Sequence, residues 1–275
     1  MRRLIGMFVL GVVTLAVPAS AADTAPYYLA LGDSLAIGVQ PVNGTYQPTK
    51  QGYADDLYAL LRFKKPSLKL VKLGCLGEST TTMIAGGKCS YSAGSQLNEA
   101  VAFLQTHRVA LITLDIGADN VLGCITLAGG VDLPCLQEGV STTLTDLVTI
   151  IQTLRFAAPT VPIVAMNYFD SYLGAWILGP EGQSLAVESL QLTTAFNDAL
   201  ENLYTTFGVK VADVESAFHT TDFTTVPFLN LPLNVAVALN WTWAGAPPPN
   251  GPDIHPNAIG YAVIAGAFAK AIAGF

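Results

Sequence analysis

Ser34 follows a short apolar run, Tyr27-Tyr28-Leu29-Ala30-Leu31, from which it is separated only by Gly32 and Asp33. Such a run reads as a buried strand, and a serine delivered at a strand's carboxyl end lies where open α/β sheets bind ligands. Gly-Asp-Ser is also ordinary turn chemistry, so this serine decides nothing alone. A serine hydroxyl becomes a nucleophile beside a base, for which histidine is the usual side chain. The base in turn needs an acceptor on its second ring nitrogen to fix its tautomer. Asp253-Ile254-His255 offers both groups from one turn near the other end of the chain. The sequence holds three histidines. His107 ends a helical stretch beside Arg108, and His219 lies in a threonine-rich loop; surface and local hydrogen-bonding roles are expected for them. Three scattered histidines supply no cluster for metal-assisted hydrolysis, so no metal or other cofactor is expected. The Gly-x-Ser-x-Gly elbow of α/β-hydrolases is missing from the sequence.

Residues so far apart must be brought together by a fold. Strands are predicted at 27–31, 68–73, 109–116, 161–166 and 209–212, with helices at 52–61, 96–105, 138–156, 185–207 and 257–272. The run 109–116 is almost continuously apolar, which marks a central parallel strand buried on both faces. In the helix at 138–156, Leu144, Leu147, Val148, Ile151 and Leu154 share a face. Strands alternating with helices of this length require parallel crossovers. The expected architecture is α/β, a three-layer sandwich around a five-stranded parallel sheet, in one domain over residues 22–275. Residues 36–50, with Gly38, Pro41, Gly44 and Pro48, read as a surface loop. Residues 218–251 are rich in proline and aromatics and show no clear period.

Apolar residues make up 51% of the 275 and charged residues 12%, ample material for a large core. The net charge is −7 with no basic cluster, so nucleic acid is not an expected partner. Arg2 and Arg3, an apolar run from Leu4 to Val17 and Pro18-Ala19-Ser20-Ala21 read as a secretory signal over residues 1–21. The run is shorter than the ~20 residues a spanning helix needs, so no stable membrane anchor is expected. Its removal leaves 11 basic against 20 acidic residues, a net charge of −9. Export suits the four cysteines Cys75, Cys89, Cys124 and Cys135. Four allow three pairings; the sequence-local choice is Cys75 with Cys89 and Cys124 with Cys135.

Four segments in order, Gly32-Asp33-Ser34-Leu35, the glycine loop Gly74-Cys75-Leu76-Gly77, Gly117-Ala118-Asp119-Asn120 and Asp253-Ile254-His255-Pro256-Asn257, resemble the GDSL, or SGNH, hydrolase family over residues 26–273. The resemblance implies a flavodoxin-like sheet and ester hydrolysis through serine. It makes Ser34 the nucleophile, His255 the base and Asp253 its orienting acid. It also implies an oxyanion hole from the N–H groups of Ser34 and Gly77 and an asparagine amide. Two departures stand out. The family writes Gly-x-Asn-Asp where this chain has Gly117-Ala118-Asp119-Asn120. An ionised carboxylate only accepts hydrogen bonds, so the amide is assigned to Asn120 with a one-residue shift of the loop. The family's acid stands three residues before the histidine, where this chain has Pro252. Pro256 biases His255 toward extended geometry, in which residues two apart face the same side, so Asp253 can still reach the ring.

Residues 226–233 with Trp241 and Trp243, and residues 168–178, are candidate walls of an apolar acyl pocket. The expected activity is that of a secreted esterase or lipase acting on small-molecule or lipid carboxylic esters. A carbohydrate O-acetyl esterase is the alternative enzyme, since tryptophans also stack on sugars. A secreted binding module on the same fold is the non-enzyme alternative. Oligomeric state is not legible.

Overall fold

The computed structural model describes residues 25–126 and 130–273. The secretory signal expected at residues 1–21 lies outside the described residues. Five strands, β1 (Tyr27–Gly32), β2 (Lys69–Lys72), β3 (Val109–Asp115), β4 (Ile163–Met166) and β5 (Lys210–Ala212), form one sheet in the order β2-β1-β3-β4-β5. Every neighbouring pair is parallel. This is the flavodoxin-like order, which reverses beside β1 and leaves a crevice outside the carboxyl ends of β1 and β3. Leu29 pairs with Val71 on one side and Ile112 on the other, and Gly32 pairs with Asp115 at the sheet's carboxyl edge.

The helices are α1 (Tyr53–Lys64), α2 (Thr80–Ala85), α3 (Gln96–Thr106), α4 (Leu133–Ala157), α5 (Pro180–Thr206), α6 (Val214–Ala217), α7 (Leu233–Trp241) and α8 (Ala258–Ile272). α1 packs on α8, while α3 packs on α4 and α4 on α5, giving a layer on each side of the sheet. Leu29, Leu31, Ile112 and Leu114 from the strands meet Ile150, Ile151 and Phe268 from the helices in the core. Burying a side chain of this size contributes about 1.5–3 kcal/mol, so the sheet's edge is a rigid platform for loops.

Besides the short helices α2 and α6, which the sequence reading lacked, four departures from that reading stand out. α4 starts at Leu133 because Asp132 accepts from Cys135 N at 3.1 Å and Pro134 suits a first turn. α5 starts at Pro180, straight after Gly179. Within the supposed loop 36–50, Val39–Val42 pairs antiparallel with Thr45–Pro48. The hairpin turns on Asn43 and Gly44, with φ of 51° and 76°, the left-handed pair that Asn-Gly supplies. In the aperiodic stretch, α7 buries Asn234, Val235, Ala236, Val237 and Ala238 in succession, so it has no polar face to mark it. Both disulfides take the sequence-local pairing, Cys75–Cys89 and Cys124–Cys135. Among the described residues no helix is long and apolar enough to cross a membrane.

Candidate active site

β1 ends where a side chain is impossible. Gly32 has φ +143°, and a Cβ there would lie 2.0 Å from the Asp115 carbonyl oxygen on β3. Gln96 of α3 fixes the same peptide, its Oε1 accepting from Gly32 N at 2.7 Å and its Nε2 donating to Gly32 O at 2.8 Å. Asp33 N then donates to Asp115 O at 3.0 Å, and Leu35 N donates to Asp33 Oδ1 at 2.9 Å. That local turn reverses the chain and leaves Ser34 at its tip. Beneath it, Asp115 accepts from Ala36 N at 3.1 Å and from the Tyr53 hydroxyl of α1. Burial pushes the Asp115 carboxyl up to about 7. Burial, reinforced by Asp115, lifts Asp33 well above the usual carboxylate range. These buried carboxyls brace the turn from behind, and Asp33 Oδ1 lies 3.5 Å from Ser34 Oγ.

His255 Nε2 lies 3.0 Å from Ser34 Oγ, and His255 Nδ1 lies 2.8 Å from Asp253 Oδ1. His255 N also donates to that carboxylate oxygen, at 3.0 Å. A carboxylate only accepts, so Nδ1 carries the ring proton and Nε2 is left to accept from the serine hydroxyl. The turn bearing the pair is clasped by the segment after α7: Trp243 N donates to His255 O at 2.9 Å and Asp253 N to Trp243 O at 3.1 Å. Asn257 then caps α8, accepting from Ile259 N and Gly260 N. Burial works against ionisation of Asp253. Hydrogen bonds from His255 and from the Tyr46 hydroxyl, at 2.9 Å, outweigh it and hold the carboxyl below its ordinary range. Tyr46 belongs to the hairpin after β1, and its pairing with Asp253 leaves no local sequence signal.

Ser34 and Gly77 lie just beyond the ends of β1 and β2, and among the described residues no hydrogen bond uses either N–H. Gly77 has φ +73°, the left-handed region that favours glycine. The structure does not bring the Asn120 amide to Ser34. Asn120 Oδ1 accepts from Thr80 N at 3.0 Å and its Nδ2 donates to Thr80 Oγ1 at 2.9 Å, tying it to the first turn of α2. Asp119 lines the cavity with Ser34 and His255 instead. The loop makes no one-residue shift, so a carboxyl stands where the resemblance implies an amide. Burial raises that carboxyl above its usual range, opposed by His255 and Lys88 and assisted by Glu78.

Beyond Ser34 the cavity is walled by Leu35, Val121, Leu122, Ile125, Phe169 and Ile254. Tyr168 and Tyr172, from one expected wall, also line it. The residues of the other expected wall do not line this cavity, although the Trp243 backbone clasps the His255 turn. Residues 226–233 form a short hairpin ahead of α7 whose Phe228 is 99% exposed, and Trp241 packs edge-on against Phe218 at 5.5 Å. Among the described residues no group of three or more His, Cys, Asp or Glu could hold a metal ion.

A doubly wound sheet with serine, histidine and carboxylate in hydrogen-bond sequence at its carboxyl edge is the arrangement of a serine hydrolase. The chain belongs to the GDSL-like lipase/acylhydrolase family, whose model matches residues 30–263. That membership supports ester hydrolysis. Three solved structures share the fold. An extracellular lipase from Streptomyces rimosus is 17% identical, with a TM-score of 0.62 over 90% of this chain and 100% of that one. A phospholipase A1 from Streptomyces albidoflavus NA297 is 17% identical, with a TM-score of 0.58 over 90% and 99%. An acetylxylan esterase from Geobacillus stearothermophilus is 17% identical, with a TM-score of 0.55 over 93% and 97%. No curated protein sequence matches the chain.

Proposed function

We propose that the chain is a secreted serine esterase cleaving carboxylic esters with an apolar acyl group. The hydrogen-bonded sequence Ser34–His255–Asp253 carries the reading. Ser34 Oγ bonds to the acyl carbon while its proton passes to His255 Nε2. The carbonyl oxygen becomes an oxyanion facing the N–H groups of Ser34 and Gly77. The bond to the leaving oxygen breaks, that oxygen takes the proton from His255, and the acyl group stays on Ser34. Water then bonds to the acyl carbon as its proton passes to His255; the Ser34 Oγ–acyl bond breaks, Oγ takes the proton back from His255, and the acid is freed. Asp253 stabilises the imidazolium without taking its proton. The aliphatic and aromatic walls around Ser34 support an apolar acyl group. The reading of residues 1–21 and two disulfides support export.

The test is a panel of nitrophenyl esters of rising acyl length, with Ser34→Ala as control and covalent labelling of Ser34 by an organophosphonate. Loss of turnover and of labelling in Ser34→Ala supports the assignment; full turnover in that variant refutes it. Activity confined to acetyl esters selects the carbohydrate O-acetyl esterase, whose fold-mate is the acetylxylan esterase. Asp119 in the place of an amide favours one other reading, a binding module without turnover. Absence of labelling in folded wild-type protein selects that one.

A further inference from the structure

Asp119 leaves the oxyanion site one donor short. With Asn120 held by Thr80, two backbone amides remain, and an ionised Asp119 repels the charge they must stabilise. A cation lies against Gly77, which carries one of those two amides. A Cβ on Gly77 would lie 2.8 Å from both Cε and Nζ of Lys88, so the ammonium covers Gly77. The charges of His255 and of Lys88 both favour the ionised form of the Asp119 carboxyl. The covalent frame explains the placement. Cys89 follows Lys88 directly, its partner Cys75 lies two residues before Gly77, and their disulfide fastens the two backbones together. Tyr91 pins the same loop to the end of β2, donating to Leu73 O at 2.7 Å.

We propose that Lys88 is a catalytic residue, the third group of the oxyanion hole, its ammonium replacing the missing amide. This rests on the serine esterase reading. As Ser34 Oγ bonds to the acyl carbon and its proton moves to His255, the carbonyl oxygen gains the negative charge that the ammonium faces. The charge is lost when the bond to the leaving oxygen breaks and that oxygen takes the proton from His255. Lys88 gives up no proton. A lysine suits this task as a compact charge with three donors on a flexible stem.

The experiment compares wild type, K88M, K88R, D119N and K88M/D119N for kcat and KM on a neutral nitrophenyl ester and for the rate of Ser34 phosphonylation. K88M is expected to lower kcat and the labelling rate by roughly 10²–10³, the loss typical of one oxyanion donor, with KM within about threefold. K88R recovers part of the loss. In the D119N background, where an amide donor returns, removing the lysine costs less than about tenfold. A K88M enzyme with kcat within about threefold of wild type overturns the proposal, as does a change confined to KM, which marks uniform binding. Failure of wild type to label or turn over refutes the esterase reading itself, an outcome separate from a labelled, active wild type with an equally active K88M.

Discussion

Tyr46 donates its hydroxyl to Asp253 Oδ2 at 2.9 Å, while the other oxygen of that carboxylate faces His255 Nδ1 at 2.8 Å. The Asp253 carboxylate is therefore held from two sides, by the His255 imidazole and by a hairpin that follows β1 beside Ser34. The phenol ring also packs on the imidazole, tilted, with ring centroids 5.3 Å apart.

Tyr46→Phe removes the outer bond and keeps the ring. Tyr46 is half exposed, so water can partly replace the hydroxyl, and a net cost of about 0.5–1.5 kcal/mol is expected. On kcat/KM that is roughly a two- to twelvefold loss. With one fewer donor to its ionised form, Asp253 titrates higher, so the second, steeper fall of activity at the acid extreme, where this carboxyl also gains a proton, begins at a higher pH than in wild type. pH–rate profiles of the two enzymes check this, and superimposable profiles count against a role for the tyrosine.

Asn120→Ala separates the two readings of the third loop. As an oxyanion donor, Asn120 would be worth roughly 10²–10³ in kcat. Its amide instead satisfies Thr80 N and Thr80 Oγ1, so alanine is expected to cost stability, about 1–3 kcal/mol for the buried donor left unpaired. Thermal unfolding should fall by several degrees while kcat, measured well below the midpoint, stays within about tenfold.

This loop also shows where sequence reasoning stops. The central strands β1, β3 and β4 were legible because each is an almost continuously buried apolar run, and Ser34 followed from the end of β1; His255 was read from its spacing to Asp253, and Gly77 from the family resemblance. The Cys75–Cys89 and Cys124–Cys135 pairs followed from closeness along the chain. Which way the Asp119 and Asn120 side chains point was not legible, because a turn of Ala118–Asn120 rotates adjacent residues to different sides and no periodicity governs it. Lys88 and Tyr46 were invisible for another reason: each reaches the site from a loop, across contacts that only the closed fold creates. The Asn43-Gly44 turn was the one available sign of the hairpin that carries Tyr46.

Replacing both Cys75 and Cys89 by serine tests the frame around Gly77. The loop spans 14 residues, for which chain entropy gives about 3 kcal/mol of stabilisation. The double variant is expected to melt several degrees lower. It should also lose kcat at temperatures where it remains folded, because Lys88 and Gly77 are no longer tethered to each other. Loss of thermal stability with kcat unchanged would confine the bond to a structural role.

Asp170 offers a pH test of stability at the cavity wall. It is buried, accepts from Tyr172 N at 2.8 Å and from Ser189 Oγ at 2.7 Å, and burial pushes its carboxyl up to about 6. A carboxyl with a raised folded-state pKa binds its proton more tightly in the native state than in the unfolded chain. Between about pH 4 and pH 6 the native state therefore holds more protons, and stability falls as pH rises through that window. Above it this contribution is constant. Asp115, raised to about 7, acts in the same direction, so wild type alone cannot isolate Asp170. Asp170→Asn can, because the amide does not titrate: its oxygen keeps the bond from Tyr172 N, and its NH2, standing where Ser189 Oγ donates in wild type, donates to that hydroxyl instead. Wild type should lose thermal stability relative to D170N between about pH 4 and pH 6, and the two curves should run parallel above. Parallel curves throughout would mean that Asp170 titrates at its ordinary value and that water reaches it. Since Asp170 caps the Ser171–Leu178 turn, whose Ser171 and Tyr172 line the cavity, that wall loses the same contribution as pH rises through the window.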